Sequence, residues 1–347
     1  MTPEKGSPSF SSRRTKKGGG PFSGESIRMR RIVLAYSGGL ETSIAIPWLG
    51  EQHRADVIAV TMDLGQGKEV LEEIRDRALA SGALRAHVVD VRDAFVRDYL
   101  VRGLKAGVLW RQGASMASAL AYPLIAQKLI EIASIEQTSV VAHGDRAGGA
   151  AALDRTLRAL DPTLTVLAPA GEWGMTSAEQ LDYAQQRHLT RPAGLTGGPA
   201  AKPAGGLPEE PACVEVSIER GVPVAINGVV MTLIDLIGSL EIIAAAHGVA
   251  PSALVVLYTA HDALERAAIA SDAETFAAQV AEQYVRILRD GSWFAPMRAA
   301  LDAYTDAMQQ QVGGVVRLKL FKGECTVVDC QLSAAPAVRT IALTKAR

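Results

Sequence analysis

The sequence predicts a doubly wound, mainly parallel α/β sheet followed by a smaller α+β domain. Up to residue 189, short Val/Ile/Leu runs alternate with amphipathic stretches, the order expected of strands and covering helices. Those runs are continuously apolar rather than alternating, as in strands buried on both faces. Beyond residue 211 the pattern changes to hairpin signals separated by long helical stretches.

Taken in order, strands are expected at 31–36 (RIVLAY), 57–62, 86–91, 139–142 and 165–168. Between them, 68–81 sets Val70, Leu71, Ile74 and Ala78 on one helical face and stops at Gly82. The Ala/Leu/Ile-rich stretch 115–134 is a longer helix, which Pro123 should kink or restart. A helix at 177–187 begins with a capping-box pair, Thr176 and Glu179. Residues 190–211 hold five glycines and five prolines and read as a linker or irregular loop. The second domain, 212–347, opens on a hairpin at 214–218 and 223–226 and closes on another at 315–321 and 325–328. Helices are expected between them at 232–246, 273–289 and 296–311, with His261-Asp262 at a helix start. Residues 1–29 are Gly/Ser/Pro-rich and basic without an apolar run, the pattern of a disordered tail ahead of the first domain at 30–189.

Composition excludes several classes. A net charge of −1 gives no general attraction to nucleic acid or to an anionic membrane. No stretch approaches the ~18–20 apolar residues of a spanning helix. Cys213, Cys325 and Cys330 form neither a CxxC nor a disulfide framework, and the six histidines show no metal-ligand spacing. No metal-ligating residue is therefore assigned, and the cysteines fit a reducing cytoplasm.

The chemical signal lies directly after the first strand, where a parallel sheet presents its ligands. Ser37-Gly38-Gly39 stands there, ahead of a helix expected from Leu40 or Glu41. Two glycines let backbone amides converge on an anion, and the helix N-terminus adds favourable charge. Ser37, Thr42 and Ser43 add hydroxyl donors. The loop is neither a Walker A motif nor GxGxxG, which disfavours hydride transfer on a dinucleotide. From the residues alone, a tight strand-to-helix turn without a ligand remains an equal reading.

The segment AYSGGLETS resembles the pyrophosphatase loop AYSGGLDTS of argininosuccinate synthases. The resemblance continues in order through 59–67 (AVTMDLGQG), 120–133 (LAYPLIAQKLIEIA), 141–144 (VAHG), 167–177 (LAPAGEWGMTS), 221–228 (GVPVAING) and 316–323 (VRLKLFKG). It implies an adenine nucleotide α-hydrolase-like fold and a cytoplasmic homo-oligomer serving arginine biosynthesis. It also implies ATP and Mg2+ on the loop, with small molecules rather than nucleic acid or membranes as partners. Members adenylate the ureido oxygen of citrulline, and the amine of aspartate then displaces AMP. Carried over by position, Ala35, Ser37, Gly38, Gly39, Glu41, Thr42, Ser43 and Gly144 form the ATP site.

The chain departs from this pattern where the amino acids would bind. Glu41 stands where the family has Asp. After Gly144 the family's polar CTGKGNDQVRFE is replaced by a run through Ala150, Ala151 and Ala152 to Asp154. The family's Arg-Tyr-Pro-Leu-Gly-Thr becomes Gly113-Ala114-Ser115-Met116-Ala117-Ser118, the GRSIE segment has no counterpart, and a segment after Val249 is shortened. Ser118, Arg146 and Arg155 are the remaining candidates for substrate contacts. Two readings follow: an AMP-forming C–N ligase, and a nucleotide-binding non-catalytic paralogue acting through a protein partner.

Overall fold

The computed structural model describes residues 30–111, 114–144, 148–189, 206–250, 252–269 and 271–333. The first part runs β1 (Arg30–Ala35), α1 (Leu40–His53), β2 (Ala55–Asp63), α2 (Lys68–Ala80) and β3 (Arg85–Asp90). A helical stretch follows, α3 (Arg92–Phe95) and α4 (Val101–Lys105) joined through a π-helical turn, and then the short strands β4 (Trp110–Arg111) and β5 (Ala114–Ser115). It continues through α5 (Ala117–Ile135), β6 (Val140–His143), α6 (Gly148–Leu160), β7 (Thr165–Leu167), α7 (Pro169–Glu172) and α8 (Ser177–Gln186). The second part comprises β8 (Ala212–Glu219), β9 (Val222–Ile226), β10 (Val229–Val230), α9 (Leu233–Ala246), α10 (Ser252–Ala268), α11 (Ser271–Asp290), α12 (Pro296–Gln309), β11 (Gly314–Phe321) and β12 (Glu324–Leu332).

The first sheet is parallel, in the order β3-β2-β1-β6-β7. Its continuous apolar strands are explained by two covered faces. Ile32 and Leu34 of β1 pack with Ala45, Leu49, Ile74 and Ala78 from α1 and α2. Val33 joins the larger core with Leu120, Leu124 and Leu129 of α5. From β1 the chain builds outward through β2 and β3, then crosses to β6 on the other side. The order therefore reverses between β1 and β6, and the crevice beyond their C-terminal ends is where such a sheet receives a ligand.

The second sheet is antiparallel, in the order β10-β9-β8-β11-β12. β11 buries every other side chain, Val316, Leu318 and Leu320 among them, in the core beneath helix α10, while α9 packs on β9. The two parts share one core, in which Tyr99 stacks on Trp293 at 5.5 Å between ring centroids. Lys105 and Arg102 add ion pairs to Asp306 at 3.0 and 3.3 Å.

The expected strands and caps are present, each within a few residues of its sequence position. Thr176 and Glu179 form the capping box. Pro123 lies inside α5, which runs on as one helix rather than restarting. Among the described residues, the short helices α3, α4 and α7 and the longer α6 and α10 lack a sequence expectation. In α10 the buried side chains Ala253, Val256, Leu257, Ala260, His261 and Leu264 follow helical spacing. Its β-branched run and the histidine within the apolar stripe hide that period. His261-Asp262 consequently sits well inside α10, not at a helix start. The tail at 1–29 and most of the Gly/Pro-rich stretch, 190–205, lie outside the described residues.

Candidate functional site

The loop between β1 and α1 is held by a closed set of hydrogen bonds. Ser43 is fully buried, and its Oγ donates to Gly39 O at 2.9 Å, leaving its oxygen to accept from the Tyr36 phenol at 2.9 Å. Thr42 Oγ1 also donates to Gly39 O, at 3.1 Å, and lies 3.3 Å from Ser37 Oγ. From β2, Thr61 Oγ1 donates to Tyr36 O at 3.0 Å. Burial, against a weaker opposing pull from Ser43 and Arg77, pushes the Tyr36 phenol above its ordinary range. The hydroxyls of Ser37, Thr42 and Ser43 thus bond within the loop and fix its shape.

The backbone amides are left to face outward. Gly39 is the N-cap of α1, in extended conformation, and no side chain caps that helix. Thr176 and Thr232 cap α8 and α9 with their side chains, whereas α1, like α2, α5 and α12, has no side-chain cap, and of these uncapped starts the residues opening α1 line the cleft at the sheet reversal. The first-turn amides of α1 have no intrahelical acceptor and point toward the crevice of the sheet.

The two glycines do different work. Gly38 has a φ of +77°, and a Cβ there would lie 2.7 Å from Ile74 Cγ1. Its missing side chain makes room for α2, not for a phosphate. Gly39 lines the cleft, and a Cβ there would meet only Ser37 Oγ, at 3.4 Å. Gly144, at the end of β6, packs against α1 so closely that a Cβ would lie 2.5 Å from Thr42 Cγ2.

A cleft of about 460 Å³ opens over these elements. Ala35, Ser37, Gly39, Glu41, Thr42 and Gly144 line it, together with Tyr122 of α5, His143, and Gln66 after β2. Gln66 clamps its own turn, donating to Met62 O at 2.9 Å and accepting from Leu64 N at 2.6 Å. His143 Nε2 lies 3.9 Å from Asp154 Oδ1, and Arg158 Nε donates to Asp154 at 3.0 Å.

Gly38 and Ser43 stand behind the cleft wall and support it. Ser118 is exposed in the first turn of α5 and is not among the lining residues. Arg155 turns away, donating through Nε to Asp290 O at 3.2 Å and through its terminal nitrogen to Arg289 O, where it satisfies the end of α11. Arg146 lies outside the described residues. Arg77 of α2 was not picked out by the sequence pattern. Its side chain is 9% exposed and donates to Gly38 O at 2.9 Å, placing a cation directly behind the loop. Its position one turn from Ile74, on the face of α2 against the sheet, is the only sequence signal for it. Among the described residues no group of three His, Cys, Asp or Glu side chains could hold a metal. No described helix is long and apolar enough to cross a membrane.

A parallel sheet with a rigid glycine loop, an uncapped helix start and a cleft at the strand-order reversal defines a nucleotide-binding α/β domain. The family model described as the arginosuccinate synthase N-terminal HUP domain matches residues 31–190, and that of the C-terminal domain matches 250–335. The argininosuccinate synthase of Carboxydothermus hydrogenoformans is 36% identical over 344 residues, spanning 84% of this chain and 86% of that protein. That of Pelotomaculum thermopropionicum is 36% identical over 349 residues, 86% of this chain and 87% of that protein. That of Chlorobium luteolum is 35% identical over 357 residues, 88% and 89% respectively. The chain belongs to the argininosuccinate synthase family, and it is an ATP-dependent ligase.

Proposed function

We propose that this chain holds ATP with its phosphates on the amides after Gly39 and catalyses an AMP-forming C–N ligation. A ureido or carbonyl oxygen of the acceptor attacks the α-phosphorus, the bond to the β-phosphate oxygen breaks, and pyrophosphate leaves. An amine then attacks the adenylated carbon, and AMP departs with the oxygen it received from the acceptor. The observation that supports this reading is the uncapped start of α1 above a cleft at the β1–β6 reversal. A loop already rigid in hydrogen bonds pays little ordering cost and holds the β- and γ-phosphates still during the attack.

Mg2+ would supply charge neutralisation on the phosphates. Glu41 is the one carboxylate among the described residues lining the cleft, and phosphates with a single carboxylate are a usual Mg2+ environment. Arg77 contributes a fixed positive charge from behind the loop.

We also propose that citrulline and aspartate are poor substrates here. Each carries a zwitterionic head that needs polar partners once it leaves water. The family's partners fall in the segments replaced by 113–118 and 145–154 and in the shortened run after Val249. Arg155, a remaining cationic candidate, is engaged with the carbonyls that end α11. A homo-oligomer in the cytoplasm belongs to the same proposal, on the strength of the family.

The test is product analysis by 31P NMR with ATP, Mg2+ and a panel of ureido and carbonyl acceptors with amines. Turnover is expected to release AMP and pyrophosphate. ADP and phosphate as the main products would exclude the mechanism, and absence of turnover with the whole panel would favour a non-catalytic, partner-binding role.

A further inference from the structure

A second cavity, of about 220 Å³, lies between α10, α11, α12 and the end of α4, and it shares no lining residue with the nucleotide cleft. Its inner wall carries a hydrogen-bond set whose proton positions the backbone dictates. Gln309 Nε2 donates to Lys105 O at 3.1 Å, an atom that can only accept. That orients the Gln309 amide and turns its Oε1 to His261 Nε2, 2.9 Å away. Gln309 Oε1 can only accept, so His261 carries its proton on Nε2. His261 is 2% exposed, and burial pushes it down to about 4, so the ring is neutral and Nδ1 is an acceptor. Glu265 Oε1 accepts from Gln309 Nε2 at 3.3 Å, and Nδ1 lies 3.6 Å from Glu265 Oε2, so two acceptors face each other whenever Glu265 is ionised.

Glu265 has no cation of its own. Burial first, then the neighbouring Asp262, pushes its carboxyl up to about 7. The charges around it are Asp262 and Arg266 on its own helix, Lys105 of α4 and Glu274 of α11. Arg266 is bonded to Asp262 at 3.1 Å and Lys105 to Asp306 at 3.0 Å. Glu274 is exposed and makes no ion pair among the described residues, so Glu265 is the partly buried carboxylate of this wall without a matching cation. Thr305, 6% exposed, and Tyr304 of α12 also line the cavity. Thr305 Oγ1 and Tyr304 Oη are shielded from solvent and make no hydrogen bond among the described residues.

We propose that this cavity binds a small organic ammonium ion, its head between Glu265 and His261 Nδ1 and its apolar body against Tyr304 and Ile269. An ammonium group has only donors, so it fits a pair of facing acceptors, and it supplies the charge that Glu265 lacks. Its alkyl body matches the tyrosine and aliphatic part of the wall.

Calorimetry on the full chain tests this, with n-butylammonium as the probe and n-butanol as its neutral counterpart. Saturable binding of butylammonium and none of butanol is expected. Affinity should rise about tenfold from pH 6 to pH 8, as Glu265 passes from about one-tenth to about nine-tenths ionised. Glu265→Gln should lose at least tenfold in affinity for butylammonium while keeping the parent's affinity for ATP, which reads a folded protein and an intact cleft. Lack of saturable binding by the parent, equal affinity for butanol, or unchanged affinity in Glu265→Gln overturns the assignment. The parent's pH series needs no variant, and a flat series overturns it as well.

Discussion

Alanine at Gly38 and alanine at Gly39 should produce opposite defects, although the residues are adjacent. At Gly38 the methyl meets Ile74 at 2.7 Å and the backbone holds a φ of +77°. Left-handed backbone costs a non-glycine residue about 1–2 kcal/mol, and an added core methyl about 1–3 kcal/mol, so Gly38→Ala should lose about 2–5 kcal/mol of stability. At Gly39 the backbone is extended, and the nearest atom to an added Cβ is Ser37 Oγ at an ordinary 3.4 Å. The fold should be nearly indifferent to that methyl. It would stand in the cleft among the amides assigned to the phosphates, and displacing one charge-assisted hydrogen bond costs about 1.5–3 kcal/mol, or about ten- to a hundredfold in ATP affinity. Urea unfolding reads the first effect and calorimetry with ATP and Mg2+ the second. A Gly39→Ala protein that binds ATP as the parent does would refute the placement of the phosphates. A Gly38→Ala protein as stable as the parent would refute the packing of the loop on α2.

Three further outcomes are expected. Glu41→Asp should keep ATP–Mg2+ affinity and Glu41→Gln should weaken it, by calorimetry; equal values for all three proteins would remove Glu41 from the site. Arg77→Met leaves Gly38 O without its partner and should cost about 1.5–3 kcal/mol in urea unfolding, with weaker ATP binding. Glu265, raised to about 7 in the folded state, binds a proton more tightly there than in the unfolded chain, so its burial stabilises the fold at low pH and that stability is lost as pH rises toward 7. His261, lowered to about 4, acts oppositely and destabilises as pH falls from about 6.5. Relative to the parent, Glu265→Gln should therefore gain stability from about pH 4.5 to 7 and then level off, as followed by urea unfolding across that range.

The sheet was legible because each of its strands carries a short apolar run, covered on both faces in the inner strands, and β1 shows why with Ile32 and Leu34 on one side and Val33 on the other. The Thr176 cap was legible because capping is local chemistry. Helix α10 was hidden by its β-branched residues and by a buried histidine in its apolar stripe, a polar group whose partner, Gln309, lies 48 residues away. The loop could be named from SGG and its neighbours, but the separate tasks of its two glycines could not. Only the arrival of Ile74 and Arg77 from α2 distinguishes Gly38, which packs, from Gly39, which lines the cleft. Arg155 shows the same limit, since it stands one position from a family arginine yet serves the end of α11.

Argininosuccinate formation gives a coarse check on substrates: little or none is expected from citrulline, aspartate and ATP, and growth of an arginine auxotroph lacking its own synthase should not be restored. The most direct measurement on the nucleotide site is a crystal structure of the full chain soaked with ATP and Mg2+. The β- and γ-phosphates should lie against the backbone amides of residues 40–42, with Glu41 toward the metal. Phosphates bound elsewhere, with the start of α1 left open to solvent, would contradict the assignment of this loop.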